Sequence, residues 1–227
     1  MNPIEIAFYP IIFSMKLVLE LGYSIFSSYG LAIVFLSIVV SILTYPISAW
    51  ASRIQARNNE LANRMAPKIA AAKSEFRGEK QFLEIEKIYM EHNYHPIHAM
   101  KSVLGIAPQI PFLLSALFLL WSYPALQQQP FLFLNDLSQP DALLKLPEGS
   151  KYQTINVLPL AMVAIAFFDS LFKADMNVSA KIKSNVINLV LFVLVYPLPS
   201  AVLLYWTSNN AISAIITVVK STRRFNS

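Results

Sequence analysis

The chain contains no cysteine and has few charged residues. None of its 227 residues is cysteine, and 14% are Asp, Glu, Lys or Arg, compared with about 25% in an average soluble domain. The absence of thiols excludes disulfides, thiolate metal sites and a cysteine nucleophile. The sequence also lacks a Gly-rich phosphate-binding loop ending in Lys-Ser/Thr, and it lacks a nucleophile elbow. We therefore predict no enzyme, no catalytic residue and no cofactor.

Apolar sequence is abundant, at 56% of residues with a mean hydropathy of +0.50. Because it is concentrated in long runs, we predict an all-α, polytopic membrane protein with a five-helix transmembrane core in residues 29–227. A helix that crosses the membrane needs roughly 20 apolar residues. The fourth predicted span is shorter, so it must extend into its flanks or cross a thinned bilayer. The five spans are predicted at residues 30–51, 102–121, 155–172, 184–196 and 199–219.

The basic residues are distributed unevenly between the two sides of these spans. Fifteen of the eighteen Lys and Arg residues lie in residues 52–101, 173–183 and 220–224. By the positive-inside rule, these segments are cytoplasmic. We therefore expect an integral protein of the bacterial inner membrane, with a cytoplasmic C-terminus and an external N-terminus.

Residues 1–28 are apolar but interrupted, since Pro10, Lys16 and Glu20 lie inside the run. This composition favours an amphipathic helix lying in the external interface. A sixth span or an uncleaved signal anchor is the alternative. No cleavage site of the Ala-x-Ala type follows, so we do not expect the segment to be removed as a signal peptide.

Residues 52–98 form the largest polar segment, and they are predicted to make a cytoplasmic helical hairpin that turns at Gly78. Its charges are mixed, which fits either a solvated connector or an arm that docks on a nascent chain, a ribosome or anionic lipid. His92, His95 and His98 flank Pro96 and do not predict a metal site. The basic residues assigned to docking are Arg57, Arg64, Lys68, Lys73, Arg77 and Lys87.

Several predicted spans carry polar residues inside apolar sequence. On the first span, Ser37, Ser41 and Thr44 are spaced four and three residues apart, which places them on one helical face. Hydroxyl residues are common where membrane helices pack together. Amides are more costly to bury, so their presence favours a shared hydrophilic groove. The residues assigned to this groove are Ser37, Ser41, Thr44, Gln109, Asn188, Thr207, Asn209, Asn210 and Ser213.

An ordered set of short motifs resembles the YidC/Oxa/Alb family of membrane protein insertases over nearly the whole chain. The motifs are Tyr-Pro-Ile at residues 45–47, Pro-Lys-Ile at 67–69, Gln-Ile-Pro at 109–111, Tyr-Pro-Leu-Pro at 196–199, Leu-Tyr-Trp at 204–206 and Asn-Asn at 209–210. Any one of these motifs is weak evidence, whereas the set in this order is specific. The last three motifs, which lie close together near the end of the chain, are the most specific.

The resemblance implies a hydrophilic groove that is open to the cytoplasm and the lipid and closed to the outside. Such a groove takes up polar segments of nascent membrane proteins and releases their apolar helices into the bilayer, without nucleotide. The implied partners are nascent chains and lipid, with the ribosome or the Sec translocon as further candidates and no direct contact with nucleic acid. Two other functions stay open: a small transporter or channel, and a dedicated assembly chaperone of one membrane complex.

The sequence departs from the family pattern at two places. Many members have an arginine where this chain has Ser41, and residues 96–99 read Pro-Ile-His-Ala where Pro-Leu-Gly-Gly is usual. The first change removes a positive charge that could pair with an acidic substrate. We therefore expect a divergent or minimal member that captures substrate by hydration and hydrogen bonding.

Overall fold

The computed structural model describes residues 3–92, 94, 109–145, 154–172 and 178–225. These residues contain seven α-helices, which confirms the predicted all-α class. The helices are α1 (Pro3–Phe26), α2 (Tyr29–Glu75), α3 (Gly78–Glu91), α4 (Ile110–Trp121), α5 (Leu158–Phe172), α6 (Val178–Val195) and α7 (Ser200–Phe225). A short 3-10 helix (Pro124–Leu126) follows α4, and two short strands, β1 (Leu144–Lys145) and β2 (Thr154–Ile155), pair antiparallel before α5.

Three of the described helices, α1, α2 and α7, are long and apolar enough to cross a membrane, and α4, α5 and the second half of α6 are shorter apolar helices. The fourth predicted span lies within α6, which begins at Val178 and has 18 residues, and the position of the span within this helix stays a prediction. Residues 102–108 of the second predicted span lie outside the described residues. The apolar length of α1 is sufficient for a span, so the interfacial placement of residues 1–28 stays a prediction.

Helix α2 does not stop near residue 51, where the first predicted span ends. It continues for 47 residues, through Pro46 and Pro67, from the first predicted span into the hairpin. A proline inside a helix removes one backbone hydrogen bond and strains the preceding turn. The residues between the two prolines include the good helix formers Ala, Arg, Glu and Leu, which favour an unbroken helix.

The chain divides into two compact units. The first comprises Met1–Thr44 and Ile110–Ser227, and the second comprises Tyr45–Gln109. In the first unit, α1 packs on α4, and α5 packs on both α6 and α7. Its core is apolar and draws on α1, α2, α4, α5, α6, α7 and the loop after α4. The fully buried core residues include Leu19, Ile33, Leu36, Leu120, Leu126, Leu137 and Leu203.

In the second unit, the last part of α2 and α3 form the helical hairpin. Gly78 begins α3 with a φ of +61°, a left-handed conformation that glycine adopts without strain. The Gln81 side-chain amide donates to the backbone carbonyls of Lys73 (3.2 Å) and Phe76 (2.8 Å) and so holds the turn closed. The buried side chains of Met65 and Ala72 lie at helical spacing.

Candidate functional site

The polar face of α2 contacts α7 directly at Ser37. The Ser37 hydroxyl is completely buried and lies 2.9 Å from the Ile33 carbonyl and 3.1 Å from the Tyr205 carbonyl. The first contact is within α2, and the second joins α2 to α7. Because both contacts are to backbone oxygens and no surface is exposed, the Ser37 hydroxyl is satisfied inside the helix pair.

One helical turn further along, Ser41 meets the first of the two consecutive amides of α7. Its hydroxyl donates to Asn209 Oδ1 over 2.7 Å, between residues 168 positions apart in sequence. Asn209 Nδ2 in turn donates to the Tyr205 carbonyl at 3.1 Å. We name the group Ser37, Ser41, Tyr205 and Asn209 the polar seam. It pairs two polar faces that would otherwise leave hydrogen-bonding groups unsatisfied among apolar side chains.

The remaining predicted hydroxyls behave in different ways. Thr44 is buried, and its hydroxyl donates to the Val40 carbonyl of its own helix at 2.8 Å. The Thr207 hydroxyl is enclosed and has no hydrogen-bonding partner among the described residues. Ser213 is half-buried, and its carbonyl accepts the Thr217 hydroxyl at 3.0 Å.

Asn210 differs from its neighbour Asn209. Its side chain is half-buried, and it makes no hydrogen bond within the described part of the chain. Asn188 on α6 is also half-buried. Gln109 is exposed and belongs to the second unit, so its grouping with the other polar residues stays a prediction.

Ser115 is a polar residue that the sequence analysis did not single out. It lies in the middle of α4, is completely buried, and its hydroxyl has no partner among the described residues. A buried hydroxyl without a partner costs about 1–3 kcal/mol. The only signal in the sequence is one serine within a 12-residue apolar helix, and a single residue does not form a periodic pattern.

The loop between α4 and α5 holds the ends of α5 and α7 through side-chain hydrogen bonds. Asp141 Oδ2 accepts from the backbone N–H groups of Val157 (2.7 Å) and Leu158 (2.5 Å), at the first turn of α5. The Ser200 hydroxyl donates to the Gln139 carbonyl at 2.6 Å, at the first residue of α7. These bonds fix the starting points of two helices, and they satisfy orphan N–H groups of α5.

The hairpin carries the basic residues assigned to docking, and some of them are already paired. Arg64 forms an ion pair with Glu60 at 2.6 Å, one helical turn away. Lys68 Nζ lies 3.4 Å from His92 Nε2, and His92 Nδ1 lies 2.9 Å from the Ile88 carbonyl. An open cleft of about 410 Å³ is lined by Arg57, Glu60, Leu61, Arg64 and His92.

No group of three His, Cys, Asp or Glu side chains that could hold a metal ion occurs among the described residues. His95 and His98 lie outside them.

Membrane-length apolar helices, two of which are joined by the partly buried polar seam, define an integral membrane protein of the polytopic α-helical class. Within this class, the chain belongs to the 60Kd inner membrane protein family, whose profile matches residues 21–226.

Similar proteins include several named membrane protein insertase YidC. The protein from Treponema denticola is 28% identical over 210 residues, which cover 86% of this chain and 34% of that protein. The protein from Janthinobacterium is 25% identical over 195 residues, covering 84% and 33% respectively. The protein from Clostridium tetani is 26% identical over 192 residues, covering 82% of this chain and 78% of that protein. The chain thus spans about a third of the length of the first two relatives.

The fold is also similar to a solved structure described as an active YidC insertase crystal structure with the first transmembrane domain resolved. The TM-score is 0.58 at 17% identity, and the match covers 96% of this chain and 47% of that one. At this identity, the likeness is one of fold.

Proposed function

We propose that the protein is a membrane protein insertase that takes polar segments of nascent membrane proteins into an intramembrane groove and releases their apolar helices into lipid. The proposal rests on one observation: α2 and α7 place polar groups opposite each other within apolar sequence. Ser37 of α2 lies opposite the Tyr205 carbonyl of α7, and Ser41 lies opposite the Asn209 amide one turn further along. The names of the relatives support the same activity.

The physical argument concerns the barrier to moving polar groups across hydrocarbon. A charged residue at the centre of a membrane helix costs about 2.5–3.5 kcal/mol on insertion scales. Hydroxyl and amide groups that face a groove offer hydrogen bonds there, and they draw in water that shortens the apolar path. The apolar part of the substrate then gains about 25 cal/mol per Å² on entering lipid.

Within this proposal, the two neighbouring amides of α7 have different roles. Asn209 is engaged with Ser41 and the Tyr205 carbonyl, so it holds α2 against α7. Asn210 has a half-buried amide with hydrogen-bonding capacity left over, so it is the better substrate contact. We assign Ser213, Thr207 and Asn188 to the same groove and test Gln109 by crosslinking.

The groove residues also define a substrate class. They are neutral, and the apolar segments at residues 29–52, 110–121 and 184–219 contain no Lys or Arg. No cation is therefore available there to pair with an acidic segment. We expect neutral polar segments to be inserted best, and added acidic residues to reduce insertion in a manner that depends little on salt. This specificity would be contradicted if insertion rose steeply as acidic residues were added to the substrate and fell as the salt concentration was raised.

Reconstitution of the purified protein in liposomes with a short single-span substrate tests the activity. Insertion without other components supports the insertase. Solute flux without insertion would favour a small transporter or channel. Insertion confined to one partner's subunits would favour a dedicated assembly chaperone.

The absence of native cysteine allows single cysteines to be crosslinked to a stalled nascent chain. We would introduce them at Ser41, Gln109 and Asn210, with Val193 on α6 as the control because 67% of its surface is exposed. Crosslinks at the first three positions and none at Val193 support the groove. Crosslinks at Val193 alone would count against it.

The hairpin and the orientation complete the proposal. We propose that the basic residues of the hairpin dock on the nascent chain, the ribosome or anionic lipid. The Sec translocon is a further candidate partner. The N-terminus is external and the C-terminus cytoplasmic. Labelling single cysteines at Glu5 and Thr222 with an impermeant maleimide, in intact and opened cells, tests this orientation, and labelling of both from the same side would overturn it.

A further inference from the structure

The loop after α4 contains a tight turn at residues 131–134. Phe131 and Leu134 exchange two backbone hydrogen bonds, each of 2.8 Å, which leaves Leu132 and Phe133 as the two residues of the tip. Leu134 is buried in the core at 2% exposure. The turn therefore has a fixed base and a short projecting tip.

The tip is both strained and apolar. Leu132 has a φ of 52°, in the left-handed region, where an L-residue costs about 1–2 kcal/mol and glycine is the usual choice. Its side chain is 81% exposed, and that of Phe133 is 51% exposed. Among the described residues of the first unit, Leu132 is left largely uncovered and Phe133 is about half covered. Strain together with an exposed apolar pair indicates a contact outside the folded chain.

The contacts at the base of the turn place it beside the beginning of α2. The Phe131 ring lies over Gly30, so closely that a Cβ at Gly30 would be 1.9 Å from Phe131 Cγ. Next to Gly30, the Tyr29 ring stacks on Tyr23 at 4.1 Å and meets Tyr123 edge-on at 6.1 Å. Tyrosine is enriched at the boundary between hydrocarbon and water. The base of the turn thus lies beside a cluster of tyrosines at the beginning of α2.

We propose that Leu132 and Phe133 insert into the leaflet at which α2 begins and anchor the loop to lipid. Lipid is the occupant that fits, because the tip is uncharged, apolar and level with the tyrosine cluster. The same loop bonds the first residues of α7, through the Leu137 and Gln139 carbonyls. The anchor thus holds the beginning of α7 at a fixed depth.

A depth measurement on the reconstituted protein tests the anchor. Leu132→Cys would carry an environment-sensitive fluorophore, with Gln128→Cys as the matched control. Gln128 lies in the same loop, is exposed, and also has a left-handed backbone, with a φ of 58°. We expect the label at residue 132 to be quenched by nitroxide lipids and shielded severalfold from aqueous iodide, relative to the label at residue 128.

Two results of this comparison would overturn the proposal. Equal quenching of the two labels by iodide would place the tip in water. Shielding of residue 132 from both iodide and nitroxide lipids would mean that protein covers it. To guard against an effect of the label alone, Phe133→Cys would be measured with and without Leu132→Asn. Asparagine tolerates the left-handed backbone, so the turn should persist while the label becomes severalfold more accessible to iodide; unchanged accessibility would contradict the anchor.

Discussion

The Ser41 hydroxyl donates to Asn209 Oδ1 at 2.7 Å and joins α2 to α7. One turn earlier on each helix, Ser37 lies 3.1 Å from the Tyr205 carbonyl. Two serines spaced four apart therefore match two positions of α7 that are also four apart. These two contacts together set the axial position and the rotation of α2 relative to α7, since a shift of either helix would separate both pairs.

A double-mutant cycle of Ser41→Ala and Asn209→Ala should reveal this coupling. Hydrogen bonds between membrane helices contribute about 0.6 kcal/mol on average and up to about 1.7. We expect a coupling energy in that range when the free energy of unfolding is measured in mixed micelles. The control cycle pairs Ser41→Ala with Asn210→Ala, which should be additive, because the Ser41 hydroxyl bonds Asn209 and not Asn210. Equal coupling in the two cycles would contradict the polar seam.

Gly30→Ala should destabilise the protein through one contact. The new Cβ would lie 1.9 Å from Phe131 Cγ and 2.6 Å from its Cβ, so the ring must move. Overpacking of this kind typically costs about 1–3 kcal/mol. Thermal unfolding in detergent measures the effect. Phe131→Ala removes the ring, so the double variant should be less destabilised than the sum of the two single variants. Strict additivity would show that Gly30 is needed for another reason.

Asp141→Ala should weaken the start of α5. The Asp141 carboxylate accepts the N–H groups of Val157 and Leu158, and loss of such a cap typically costs about 0.5–2 kcal/mol. Asp141→Asn keeps an acceptor oxygen of similar size and should recover part of the loss. The free energy of unfolding in mixed micelles distinguishes the two variants. Equal destabilisation by alanine and asparagine would mean that the carboxylate charge, rather than the cap, matters.

Ser115→Ala tests a buried hydroxyl that has no partner in the part of the chain that the structure describes. Because Ser115 is completely enclosed in α4, its removal should leave the fold intact and raise the free energy of unfolding by about 1 kcal/mol. Ala116→Ser is the matched control, since it adds a second hydroxyl at a fully buried position and should destabilise. Lower stability of Ser115→Ala would instead indicate that the hydroxyl has a hydrogen-bonding partner beyond the described residues.

The sequence was informative where a pattern depends on one helix alone. Periodicity placed Ser37, Ser41 and Thr44 on one face, and a glycine marked the hairpin turn. It was not informative where two helices must meet. That Ser41 bonds Asn209 and not Asn210 depends on helix register, which sequence spacing does not determine. Ser115 was missed because a single residue has no period.

The continuity of α2 is a second feature that composition alone did not determine. The change from apolar to charged residues near Ala51 marks the predicted end of the first span, but a change of composition alters the surroundings of a helix without breaking its backbone hydrogen bonds. Pro46 and Pro67 are tolerated inside α2, so a proline in sequence marks a local strain and does not establish a terminus.

Tyr123 should govern part of the response to alkaline pH. It follows α4, and burial, together with its hydrogen bond to Glu20 Oε1 at 3.1 Å and the charge of that carboxylate, raises its pKa from 10.0 to about 12. In the unfolded chain, the phenol ionises near its ordinary pKa. The folded protein therefore keeps a proton that the unfolded chain loses, so this contribution is present below pH 10 and is lost as the pH rises towards 12.

Absorbance titration of tyrosinate, as the difference between wild type and Tyr123→Phe, isolates this group. We expect the difference curve to have its midpoint near pH 12. Glu20→Gln removes the carboxylate charge while leaving an acceptor, and should move the midpoint towards 10. The loss of stability between pH 10 and 12 should also be smaller in Tyr123→Phe, because phenylalanine has no proton to lose. A difference curve centred near pH 10 in the wild type would contradict the assigned contact.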